Sequence, residues 1–249
     1  MSEWNKVEAR YDEKRGLKEG RRLGCQAQIL GDIVIDVPPE SQVHRQVVRK
    51  AASARVIQMD PATRLYYIEV EEPDMHEPTG DLERVARALS AQWDIAEITT
   101  DFSVLTGLQR ILRKGEWKIT VALNKTSEDA TPQMIAAWPG LHERGLFGLA
   151  IDLGSTTIAA HLTNLETGLV IVSSGVMNPQ IRFGEDLMSR VSYAMMNPGG
   201  DKEMTRALRE AINSLVGELA AVAGITPDVI LETVFVCNPV MHHLLLGID

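Results

Sequence analysis

One short run of this sequence combines the residue types and spacing that phosphate binding needs: Asp152-Leu153-Gly154-Ser155-Thr156-Thr157. An Asp at the end of an apolar strand can hold Mg²⁺ through water, because hard cations prefer carboxylate oxygen. Gly154 lets the backbone turn tightly and come close to a phosphate. Ser155, Thr156 and Thr157 offer hydroxyl and N–H donors to phosphate oxygens, as anion-binding nests do. The same six residues also make a plain hairpin with glycine at its turn, and the residues alone leave both readings open. There is no GxxxxGKS/T and no GxGxxG, so neither a P-loop nor a Rossmann fingerprint competes for the role.

Other reactive residues are scattered. Cys25 and Cys237 lie far apart in unlike contexts. A disulfide between them is not expected in a cytosolic chain, and the plain reading of each is a small buried hydrophobe. His242 and His243 are adjacent; helical neighbours point about 100° apart and make a poor chelate, so no metal site is expected there. Asn178-Pro179-Gln180 and Arg182 either face a nucleotide or partner, or simply join a strand to a helix with Asp186 at its N-terminus. Glu185 and Asp186 could assist water attack on a phosphate, but first-turn acids commonly serve only the helix dipole.

The elements that must position these residues fall into three stretches. Residues 1–22 are highly charged and begin with a helix or a loosely held arm. Ile29, Leu30, Ile33, Val34, Ile35 and Val37 are strand-formers around Gly31-Asp32, stopped by Pro38-Pro39. A basic linker follows. In a second stretch, Leu65 to Val70 reads as a strand. Asp81 caps a helix with Leu82, Val85, Ala86, Leu89 and Trp93 on one face, and Ser103 caps another that runs to Gly115. Trp117 to Leu123 alternates as a strand, and Tyr66, Tyr67 and the tryptophans read as core.

The third stretch opens with a meander of strands, Gly148 to Asp152, Thr157 to Thr163 and Leu169 to Ser174. A helix with Leu187, Met188, Val191, Ala194 and Met195 on one face follows. Next comes one capped by Asp201, with Met204, Leu208, Ala211, Ile212, Leu215, Leu219 and Val222 on its face. Thr233 to Val236 is a strand, and Pro239 opens a closing helix. The chain is α/β.

Composition narrows the class. The chain has 249 residues, room for one large domain or two smaller ones, with 45% hydrophobic and 24% charged residues, as in ordinary globular proteins. A net charge of -9 argues against a general nucleic-acid binder. No apolar run reaches the roughly 18 residues of a membrane span, and the N-terminus lacks a signal peptide's apolar stretch, which favours the cytoplasm.

The order strand, hairpin, strand, helix, strand, helix, with the Asp152–Thr157 turn in the first hairpin, resembles the actin-like (RNase H-like) ATPase superfamily. That likeness implies a hairpin that holds the β- and γ-phosphates of ATP with Mg²⁺. Three further segments narrow it: Arg22-Leu23-Gly24-Cys25-Gln26-Ala27 followed by Leu30-Gly31-Asp32, Asn178-Pro179-Gln180-Ile181-Arg182-Phe183-Gly184-Glu185-Asp186, and Asn238-Pro239-Val240-Met241-His242-His243. Together with the residues around Asp152 they look like the reductive activators of corrinoid proteins. The resemblance implies a remnant of a [2Fe–2S] ferredoxin domain over 1–39, a linker over 40–60, a small middle α/β domain over 61–140, and an incomplete actin-like ATPase lobe over 145–249.

It also implies ATP-dependent electron transfer from a [2Fe–2S] cluster to the Co(II) of a corrinoid protein, giving Co(I) for methyl transfer. Under that reading Cys25 is the last of four cluster thiolates. The C-x₄-C-x₂-C expected upstream is absent, and the resemblance implies a second ATPase lobe after Asp249, so the chain reads as cut at both ends. The Cys237-Asn238 pair departs from the family's Gly-Asn, and an added side chain at Cys237 could crowd a ligand. Two alternatives stand beside this: a metabolite kinase-like phosphotransferase on the same hairpin, or a non-catalytic interaction or dimerisation module that forms a homodimer. A lobe lacking part of its sheet is expected to aggregate or need a partner, and to bind ATP weakly or not at all.

Overall fold

The computed structural model describes residues 2–17, 20–24, 26–32 and 59–248. Two compact units divide between His44 and Arg45. Of the strand-formers expected before Pro38-Pro39, Ile29 and Leu30 are exposed and in no strand; the rest from Ile33, Cys25, and the linker as far as residue 58 lie outside the described residues.

The described part of the first unit is built on helix α1 (Lys6–Arg15). Asn5 caps it, accepting from the N–H groups of Val7 (2.9 Å) and Glu8 (3.0 Å), and Glu8 reaches back to the Asn5 N–H. The Glu8 carboxylate is fully buried. Arg22 grips it with two guanidinium nitrogens, at 2.8 and 2.6 Å, and the Leu23 N–H adds a third bond at 3.2 Å. These bonds, Arg22 foremost, hold the Glu8 pKa down to about 2.

The second unit begins with β1 (Thr63–Glu69), α2 (Asp81–Trp93), β2 (Thr99–Thr100), α3 (Phe102–Leu105), α4 (Leu108–Lys114), β3 (Lys118–Asn124) and β4 (Gln133–Pro139). The strands form one sheet in the order β1-β3-β4-β2. Val85 and Leu89 of α2, Leu108 and Leu112 of α4, and Ile119 and Val121 of β3 close its core. Several local details differ from the sequence reading. Gly80, not Asp81, caps α2; its N–H donates to Glu83 at 3.0 Å, and Asp81 stands inside the first turn. Asp101 caps α3 in place of Ser103, whose N–H it accepts at 2.8 Å, and the expected single helix breaks at Thr106-Gly107. Strands β2 and β4 add to the sheet. Of the tryptophans expected in the core, Trp117 packs against it, whereas Trp4 and Trp93 are each 49% exposed, with Trp93 anchored through its indole N–H on the Tyr67 carbonyl at 2.8 Å.

A second sheet follows: β5 (Phe147–Leu153), β6 (Thr157–Asn164), β7 (Val170–Met177) and β8 (Ile230–Cys237), ordered β7-β6-β5-β8. The meander β5–β6–β7 is antiparallel, and β8 lies parallel to β5. Period-two alternation sorts the faces. Leu149, Ile151, Leu153, Ile158, Ala160 and Leu162 face the helices, in a core shared with Met204, Leu208, Ile212, Leu215 and Leu219 of α6 (Gly200–Ala223) and Met241 of α7 (Pro239–Leu246). The opposite face carries Ala150, Asp152, Val234 and Val236; Val234 and Val236 are 60% and 67% exposed. Helix α5 (Leu187–Met196) deviates from its expected face: Met188 and Met195 are exposed, and Arg190 is buried. Gly199 rather than Asp201 caps α6, and Val222 lies outside its buried stripe. Among the described residues, no helix is long and apolar enough to cross a membrane.

Candidate functional site

Strand β5 brings Asp152 to its C-terminal end, one residue before the strand stops at Leu153. The side chain lies on the face away from the helices, because Ile151 and Leu153 take the core face. Gly154, Ser155 and Thr156 form the turn and Thr157 opens β6. The turn is closed by a bond from the Gly154 N–H to the Thr157 carbonyl at 2.9 Å. Glycine is required at 154 by this closure itself: a Cβ there would stand 2.7 Å from the Thr157 carbonyl oxygen.

The carbonyls of the turn point inward. Gly154 O accepts from Asn178 Nδ2 at 2.9 Å, Ser155 O from the Arg190 guanidinium at 2.5 Å, and Thr156 O from the Asn178 N–H at 2.8 Å. A trans peptide sets each N–H opposite the preceding carbonyl. Pinning the Gly154 and Ser155 carbonyls inward therefore aims the Ser155 and Thr156 N–H groups outward. Neither donates to an acceptor among the described residues. Thr156 is exposed, while Asp152, Gly154, Ser155 and Thr157 are half-buried. Two adjacent outward amides flanked by three hydroxyl side chains are donors of the kind a phosphate oxygen accepts from.

The supports of this turn come from the Asn178–Asp186 segment. Asn178 (1% exposed) caps a 3₁₀ turn over Pro179–Phe183 by accepting the Gln180 N–H at 2.9 Å, and Gln180 (0%) anchors on the Met204 carbonyl at 3.2 Å. Asp186 caps α5, accepting the Ser189 N–H and hydroxyl, each at 2.8 Å. Those two bonds, the N–H first, hold its carboxyl below the usual range. Asp186 thus serves the helix, and Glu185 is exposed beside it. Arg182 is exposed and lies over the Phe183 ring, 4.6 Å from its centroid.

Arg190 is the residue that the sequence reading missed. Its charge hid it: a long cation inside an amphipathic helix reads as solvated. A close look at α5 offers one signal, since Arg190 falls three residues after Leu187 and four before Ala194, on the inward stripe.

Of the remaining candidates, Cys25 lies outside the described residues. Cys237 ends β8 half-buried against the core with a free thiol, next to Asn238, which caps α7 by accepting the Met241 N–H at 3.0 Å. The His242 and His243 rings are 6.2 Å apart. Among the described residues, no three His, Cys, Asp or Glu side chains converge as a metal site.

Known proteins resemble this chain over most of its length. The model of the RACo linker region matches residues 52–144, and that of the RACo middle region matches residues 147–249. The corrinoid activation enzyme RamQ of Eubacterium limosum is 29% identical over 107 residues, 43% of this chain and 18% of that enzyme. The solved structure of a reductive activator for corrinoid, iron-sulfur protein is similar at a TM-score of 0.66 and 30% identity, over 79% of this chain and 31% of that one. The chain therefore spans less than a third of the length of either relative. With two adjacent RACo regions matched from residue 52 to its end, the chain belongs to the family of reductive activators of corrinoid proteins.

Proposed function

We propose that this chain supplies the phosphate-gripping half of an ATP-driven activator that returns a corrinoid protein from Co(II) to Co(I). The observation that carries the reading is the pair of outward N–H groups at Ser155 and Thr156, set at the end of β5 beside Asp152. Gly154 to Thr157 hold the β- and γ-phosphates, and Asp152 positions Mg²⁺ through water. ATP drives the chemistry by binding two conformations of the activator unequally, since a ligand shifts an equilibrium only through such a difference. The order β7-β6-β5-β8, antiparallel across the meander and parallel at β5/β8, supports reading residues 145–249 as the first lobe of an actin-like ATPase domain. Residues 61–140 then form the small α/β domain before it, residues 40–60 the linker, and residues 1–39 the ferredoxin-derived segment, in a cytoplasmic protein.

The [2Fe–2S] cluster does not fit the residues of this chain. Its ligand set is four thiolates and the sequence has two cysteines, Cys25 and Cys237, far apart. The role of Cys25 as one cluster ligand is part of the proposal for the longer protein only. Reduction of Co(II) to Co(I) takes one electron, which these two cysteines do not supply.

The proposal is tested by thermal unfolding with millimolar MgATP. Binding by the turn alone is weak, so at millimolar nucleotide the chain is expected to melt about a degree or two higher than without it, the shift rising with concentration as mass action requires. Asp152→Asn removes the Mg²⁺-dependent part of that shift, each protein being compared with its own melting point without nucleotide. Equal shifts in wild type and Asp152→Asn would remove Asp152 from the site, and no shift in either would count against the phosphate reading.

A further inference from the structure

We propose that Arg190 is the positioning residue of the phosphate turn: it holds the Ser155 carbonyl inward and so presents the Thr156 N–H to the anion. The inference rests on reading the turn as a phosphate site. Arg190 is 0% exposed, and none of its nitrogens forms an ion pair among the described residues. Its guanidinium instead donates to backbone oxygens of two loops, Nε to Gly184 O at 2.9 Å and Nη2 to Ser155 O at 2.5 Å. Nη1 lies 3.5 Å from Gln180 Oε1 and 3.7 Å from Met241 Sδ. The nearest acid acting on it, Asp186, contributes only through space, and burial pulls the guanidinium's pKa down. It stays charged all the same, because arginine does not lose its proton in proteins.

A buried cation with no carboxylate against it is costly, and a methionine of similar length fills such a place at less cost. The position of the charge gives it a use. It lies directly beneath the turn whose carbonyl it holds, so its field reinforces the two outward N–H groups above it. Packing of Gly184 makes the fork possible. A Cβ on that glycine would stand 2.7 Å from Ser189 Cβ and 2.8 Å from the Arg190 backbone nitrogen, so only glycine lets the loop close over α5. Asn178 repeats the device one peptide earlier, at Gly154 O. Together the two side chains fix consecutive peptide planes. Arg190 also links the turn to α5 and, through Met241, to α7, so displacement of the turn by a phosphate is felt at two helices.

The test is an amide chemical-shift titration of the full chain with MgATP, comparing wild type with Arg190→Met and Arg190→Lys. In wild type the Ser155 and Thr156 amides move with nucleotide. Arg190→Met, with a wild-type fold by its dispersed spectrum, is expected to bind about tenfold more weakly and to lose the Thr156 response, the effect of one charge-assisted bond. Arg190→Lys keeps the charge but cannot span both carbonyls, so it falls between the two. Where Arg190→Met does not fold, the lysine variant alone decides: an affinity reduced at least about threefold supports the proposal. A folded variant that binds MgATP as wild type does, with the Thr156 shift intact, overturns the role of Arg190 and leaves the phosphate reading standing. A wild-type chain whose turn amides ignore MgATP overturns both.

Discussion

At the scale of single residues, two buried charges show how this chain uses short side chains and long ones. Glu8 is a carboxylate wholly enclosed and satisfied by Arg22 and the Leu23 N–H, whereas Arg190 is a cation enclosed and satisfied by carbonyl dipoles. The first gives a pH dependence with a definite sign. Its pKa is lowered from 4.5 to about 2 in the folded unit, so the stabilisation it provides is complete above 4.5 and is lost as pH falls toward 2. Hydrogen-exchange protection of the Leu23 amide is therefore expected to disappear across that window, and Glu8→Gln to lower it already at neutral pH. A Leu23 amide still protected at pH 2 would show that the Glu8 bonds do not hold the unit together.

At the scale of elements, the meander was legible because its strands alternate and its turns carry glycine, at Gly154 and Gly168. Strand β4 escaped notice: Gln133 to Pro139 has two alanines, a proline at its end and little β-branched character, and only pairing with β3 makes it a strand. The caps at Gly80 and Gly199 were misplaced by one or two residues because an acid in the first turn and a capping acid look alike in sequence. In helix α5 the expected stripe holds at Leu187 and Ala194, which pack against the core, and fails at Met188 and Met195, which are exposed while Arg190 is buried. The packing makes a direct check. Leu215 of α6 is fully buried, so Leu215→Ala is expected to cost about 2–5 kcal/mol in chemical denaturation. Met195 is 83% exposed, and Met195→Ala is expected to stay within about 0.5 kcal/mol. The reverse order would place the core of the second sheet on the wrong side of α5.

At the scale of the molecule, the second sheet has helices on one face and leaves Ala150, Val234 and Val236 open on the other, with Asp152 at the margin between that face and the turn. The site itself was legible from Asp152 to Thr157 because its chemistry is local. What sequence could not give was the inward hold on its carbonyls, which comes from Asn178 and Arg190, residues 24 and 35 positions away. The central claim is that this held turn grips the terminal phosphates of ATP. Phosphorus NMR of MgATP titrated with the full chain tests it most directly. The β- and γ-phosphate signals are expected to broaden and shift while the α-phosphate changes least, and Gly154→Ala is expected to abolish the effect. Unchanged phosphate signals at millimolar chain, or equal changes in the Gly154→Ala variant, would contradict it.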